Sequence, residues 1–171
     1  MASDDYIITG NNDSGIHVFD KCGGLLAVVP ITDLVGPPNC YGMRLHWDAV
    51  YDAFAFTLIN TDFGAQVGRL YFGYAIDPTG TWHVTTYQSM FNFYDYADVT
   101  SAGDKFIVTY NKFAFSDGSF QGAELIATDK FDLFGGLVPP ISVYALGTNP
   151  DNGQLMSAVR AVLMHNLSLI H

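Results

Sequence analysis

The chain has 171 residues, enough for one domain with a substantial core, and two domains are not expected. Hydrophobic residues make up 49% of it and charged residues 14%, a balance that excludes intrinsic disorder. A net charge of −10 with only seven Lys and Arg argues against nucleic acid and against an anionic membrane surface, since both need clustered cations.

The acidic residues are 16 Asp and a single Glu, Glu124. Asp competes with helical hydrogen bonding and prefers turns, so this many Asp beside 17 Gly and 7 Pro predicts a chain that is mostly β. Period-2 segments between Gly, Asp and Asn clusters predict strands, in chain order, at about 5–9, 16–20, 25–30, 43–47, 53–60, 69–76, 82–88, 97–101, 105–111, 122–128 and 141–146. Residues 153–166 carry apolar residues at helical spacing (Leu155, Val159, Val162 and Leu163) and predict a short C-terminal helix. No apolar run is long enough for a membrane span. The start, Met1 to Asp5, has no basic stretch followed by an apolar one, so no signal peptide is expected, although a mature secreted chain reads the same way. Cys22 and Cys40 are too few for a disulfide framework, and the two readings are a bond formed in an oxidising compartment or a buried free thiol at each site.

The strands group. Tyr6–Thr9 leads through Asn11–Gly15 into Ile16–Phe19 and a turn at Asp20. Phe54–Ile59 leads through Thr61–Gly64 into Leu70–Tyr74 and a turn at Asp77. Phe106–Tyr110 leads through Ser116–Gly118 into Ala123–Ala127 and a turn at Asp129. The glycines that open the second strand of each group, Gly15, Gly68 and Gly122, lie 53 and 54 residues apart, and the turn aspartates 57 and 52. A period in the low fifties is that of four-stranded propeller blades. The expected fold is therefore all-β, a partial β-propeller of three to four antiparallel blades in a single domain over 1–171. Blades are expected at about 4–30, where the innermost strand is missing, 43–88 and 96–135, with part of a fourth at 141–147. A β-sandwich of seven to nine strands is the alternative.

The order of motifs also resembles bacterial β-propeller proteins, uncharacterised and typically extracellular. Those show a Tyr-Asp turn, Asp-Pro-x-Gly-x-Trp, Asp-Tyr-Pro, Thr-x-Asn-x-Phe, Gly-Ala and Asp-Lys. Here the matches are Tyr51-Asp52, Asp77 to Trp82, Asp95-Tyr96, Thr109 to Phe113, Gly122-Ala123 and Asp129-Lys130. Ala97 stands where the third motif has Pro, and such proteins are longer than this chain. The resemblance implies an extracellular or cell-surface location and carries no catalytic residues.

Asp48, Asp95 and Asp98 flank the strands expected innermost, with Trp47 and Tyr96 as stacking platforms, and these five are the candidate ligand-binding residues. Two carboxylates across a sugar bond would make a glycosidase, but turn closure and packing account for the same residues. No catalytic residue is assigned, because no nucleophile context appears and the only Glu falls mid-strand. His17, His46 and His83 stand singly, without zinc-ligand spacing. Calcium is the one cofactor considered: Asn11, Asp13 and Asp117 cluster oxygen ligands on tight loops, which Asx turns explain equally well. Asp77–Trp82 reads as a folding turn. The leading function is a non-catalytic binding or interaction module for a glycan or a protein. A glycosidase-like enzyme and a structural piece completed by another chain are the alternatives. Three blades would leave apolar faces uncovered, so a homo-oligomer or a partner chain is expected.

Overall fold

In a computed structural model, which describes residues 1–136 and 140–147, eleven strands form at the eleven places where alternation predicts them. They are β1 (Tyr6–Asn11), β2 (Gly15–Asp20), β3 (Leu25–Val29), β4 (Cys40–Asp48), β5 (Ala53–Asp62), β6 (Val67–Ala75), β7 (His83–Ser89), β8 (Asn92–Ala102), β9 (Lys105–Ala114), β10 (Phe120–Asp129) and β11 (Ser142–Gly147). Each pairs only with its neighbours in sequence, always antiparallel, giving three meandering sheets: β1-β2-β3, β4-β5-β6-β7 and β8-β9-β10-β11. The chain is all-β. The helix expected at 153–166 lies outside the described residues.

One grouping is corrected. Residues 141–147 do not open a fourth group: β11 lies along β10, with Ile126 opposite Val143 and Leu125 opposite Tyr144. After β10 the third sheet still has an unpaired edge, and a short return satisfies its open N–H and C=O groups. The first sheet does lack a counterpart of β4 and β8. Met1 folds back along β1 instead, its ammonium donating to Ile8 O at 2.9 Å and its carbonyl accepting from Ile8 N at 2.8 Å.

Burial explains the stacking of the sheets. Ala53 to Asn60 on β5 are all buried, a continuous run instead of an alternation, because both faces of the middle sheet are covered. On one side Phe54, Phe56 and Leu58 meet Ile8, Ile16 and Val18 of the first sheet. On the other, Ala55, Ile59, Leu70 and Phe72 meet Tyr94, Val99, Phe106 and Val108 of the third. A two-sheet sandwich has no such middle layer, so that alternative does not describe this chain. At Gly68 the sheets come so close that a Cβ would stand 2.3 Å from Asn92 O.

Two short helices bridge the sheets. In α1 (Ile31–Val35), Ile31 and Leu34 are buried beside the first core. α2 (Lys130–Phe134) is capped by Asp129, whose side chain accepts from Phe131 N and Asp132 N, and it seats Leu133 and Phe134 in the second. Among the described residues no helix is long and apolar enough to cross a membrane.

Candidate functional site

β4 and β8 are the first strands of their sheets and run side by side in the same direction. The Tyr41 hydroxyl donates to Tyr94 O at 2.9 Å near one end, and His46 Nε2 meets Ser101 Oγ at 2.9 Å toward the other. Each strand carries a bulge at the equivalent place. The register slips between Tyr41 and Arg44 on β4 and between Asp95 and Asp98 on β8. Within the bulge Gly42 takes φ +70° and Tyr96 takes φ +52°.

This alignment separates the five candidate ligand residues. Trp47 and Asp48 stand at the end of β4, level with Ala102 of β8. Tyr96 and Asp95 lie six and seven residues back along β8, roughly 20 Å away at the rise of a strand. The five do not converge on one site. The motifs in the sequence carry no sign of which strand end each belongs to.

At the Asp48 end the side chains are spent on one another. Asp48 and Lys130 are each 2% exposed and form an ion pair at 2.8 Å, joining the middle sheet to α2. Val50 N and Tyr51 N donate to the other carboxylate oxygen at 2.9 and 3.1 Å. Burial pushes the Asp48 carboxyl up, but hydrogen bonds from Lys130, Ser101 and the two amides outweigh it and hold it below its ordinary value. A proton donor for glycoside cleavage needs the opposite shift. His46, between the sheets, is held below its ordinary value by burial, with Lys130 adding and Asp48 and Asp98 opposing. Trp47 Nε1 donates to Asp52 Oδ1 at 3.0 Å. His46, Ser101 and Lys130 come from three distant segments, and no sequence signal groups them.

At the other end the surface is open and aromatic. Tyr96 is 53% exposed, between Asp95, whose Oδ1 accepts from Tyr96 N at 2.8 Å, and Asp98, whose Oδ1 accepts from Val99 N at 3.0 Å. Ala97 and Val99 point into the core shared with the middle sheet, so Asp98 lies on the opposite face of β8. At the same strand ends the rings of Phe63, Phe93, Phe113 and Phe115 form a cluster with centroids 5.4 to 5.9 Å apart. Phe63 is 68% exposed. Sequence reasoning missed this cluster, because its members come from three separate turns.

The remaining candidates are occupied locally. Asn11 Oδ1 accepts from Asp13 N, Ser14 N and Ser14 Oγ, and Asp117 Oδ1 from Ser119 N: both are Asx turns. Among the described residues no group of three or more His, Cys, Asp or Glu is placed to hold a metal. Glu124 accepts from Tyr110 at 2.7 Å and from Lys112. Asp77 accepts from Thr79 N and Thr79 Oγ1, while Trp82 packs edge-on to Phe56 and donates to Pro78 O, which is the geometry of a folding turn.

No family model, curated protein or solved structure matches this chain.

Proposed function

We propose that the chain is a non-catalytic glycan-binding module, built as an arc of three β-propeller blades, with its ligand held at the Tyr96 end of β8. Three antiparallel meanders of three, four and four strands, stacked face to face, with the first strands of the two four-stranded sheets side by side in the same direction, support the propeller reading. The motif resemblance supports an extracellular or cell-surface setting.

One observation carries the site. Tyr96 holds a left-handed backbone that costs a non-glycine residue about 1–2 kcal/mol, at a place where the preceding sheet uses Gly42. The residue is half exposed. Strained residues of this kind concentrate at ligand sites, and an exposed aromatic ring on a strand that also carries Asp95 and Asp98 is a platform for a sugar with hydroxyls to bind. The test is glycan-panel binding by wild type, Tyr96→Gly and Tyr96→Ala. Binding by wild type alone supports the reading; equal binding by all three overturns it.

The module acts with a second copy of itself. Leu25, Leu26 and Val28 on β3, and Val143 and Tyr144 on β11, are exposed apolar residues at the two ends of the stack.

A further inference from the structure

Six of the chain's seven Lys and Arg fall among the described residues, and they are used unequally. Lys105, Lys112 and Lys130 are ion-paired with carboxylates. Lys21 and Arg44 are exposed and donate to the backbone carbonyls of Ser3 and Met43. Arg69 differs from all of these. It is half-buried in an open cleft of about 670 Å³ and forms no ion pair among the described residues, in a chain of net charge −10.

Its guanidinium is held in place. Nη1 donates to Asn60 Oδ1 at 2.9 Å, and the Asn60 carboxamide is itself fixed by donating from Nδ2 to Asn39 O at 2.9 Å. Asn60 is 5% exposed, so its orientation is set by these two bonds. One of the five guanidinium N–H donors is thereby used, and the rest have no partner among the described residues. Phe63 and Pro37 give the cleft apolar walls, and Asn39, Thr61 and Thr86 line it with polar groups. The other ionisable groups in the lining are Tyr71, 4% exposed, and Asp62, which is exposed at the rim with Oδ1 accepting from Ala65 N at 2.9 Å.

We propose that this cleft binds the carboxylate of an acidic sugar, a uronic acid, through Arg69 as a charge-assisted and bidentate pair. A half-desolvated fork of donors with no internal carboxylate is matched by a carboxylate from outside. The volume is that of a small-molecule site, and an apolar wall beside amide and hydroxyl groups suits a pyranose ring. The inference rests on the glycan reading above and names the sugar class. The Tyr41 hydroxyl links Thr61, in the cleft lining, to Tyr94 O of β8.

The experiment is calorimetric titration of the full chain with a glucuronate disaccharide, a galacturonate disaccharide and their neutral counterparts. Wild type is expected to favour at least one acidic sugar over its neutral counterpart by about ten- to a hundred-fold, the range of a charged hydrogen-bonded pair. Arg69→Met should abolish that preference, and Arg69→Lys should retain part of it. Equal binding of acidic and neutral sugars by wild type overturns the proposal, and needs no variant to fold. So does an unchanged preference in Arg69→Met, or binding of an acidic peptide with no uronate binding. Loss of neutral-sugar binding in Tyr96→Gly, with the preference of wild type absent, would sink this proposal alone. Binding indifferent to Tyr96 but dependent on Arg69 would sink only the placement of the site at Tyr96.

Discussion

Tyr96 on β8 stands where Gly42 stands on β4, and both hold a left-handed backbone, φ +52° and +70°, inside a bulge of the first strand. The repeat thus extends beyond strand spacing to an irregularity of the backbone. Bulges re-aim side chains and are built features of sheets. One repeat fills the place with the residue the conformation favours, and the other with an aromatic whose ring faces water.

If the Tyr96 backbone is retained for its ring, Tyr96→Gly should stabilise the fold by about 1 kcal/mol, the steric cost relieved less the entropy that glycine adds to the unfolded chain. Tyr96→Ala keeps the strained backbone and should gain nothing. Urea midpoints of the two variants decide it. A glycine variant less stable than wild type would mean that the ring supports the fold.

The buried pair of Asp48 and Lys130 makes a second prediction. Lys130→Met leaves a carboxylate buried without its cation and should cost about 3–5 kcal/mol. Replacing both by apolar residues of similar size should cost less than the single change, because no orphaned charge remains. A double-mutant cycle in urea measures the difference, and additive losses would contradict the pairing.

The same pair and His46 set two windows of pH. The Asp48 carboxyl lies below its ordinary value when folded. Its contribution is therefore complete above the unfolded value near pH 4 and is lost as pH falls through the folded one. His46 also lies below its ordinary value. Its neutral form is favoured by folding, so stability is full above about pH 6.5 and declines as pH falls from there. Melting temperature should thus fall in two limbs. Asp48→Asn should remove the acid limb and His46→Asn the upper one. A single limb unaffected by either change would reject this assignment.

The strands were legible because alternation and turn chemistry are local, and Gly15, Gly68 and Gly122 kept the register visible. What lay beyond local pattern did not show. β11 joins β10 because of an open edge, which is a property of the sheet and not of residues 141–147. Asp48 and Asp95 carry the same side chain beside equivalent strands, yet one is at the closed end with Lys130 and the other at the open end with Tyr96. Strand polarity and sheet stacking decide that difference. Arg69 and Asn60 meet only through the pairing of β5 with β6, and α1 was hidden because five residues between a proline and a glycine give no helical period.

The two cysteines are free and unlike. Cys22 is exposed, whereas Cys40 is buried, its thiol pushed up to about 11 by burial despite the nearby charge of Arg69. Since the thiolate is the reactive form, a thiol reagent at pH 8 should modify one cysteine in the folded chain and two after denaturation. Two fast-reacting thiols in the native protein would show that the β4 edge opens.

The last prediction concerns assembly. At one end of the stack β3 is an outer strand with Leu25 56%, Leu26 51% and Val28 45% exposed. At the other, β11 is an outer strand with Val143 43% and Tyr144 47% exposed. β1 has its edge shielded by the returning Met1–Ser3 segment, but no such segment lies along β3 among the described residues. An outer strand with apolar residues and no charged residue within it is a template for another chain. Only 14% of the residues are charged, and Val28 pairs across the strands with His17. A second copy is thus expected to cover this end. Light scattering at micromolar concentration should give at least twice the mass of one chain. Val28→Asp, which puts a charge on the strand without emptying either core, should return the protein to one chain while leaving its melting behaviour nearly unchanged. A wild-type chain that stays monomeric across the concentration range removes the second copy from the picture.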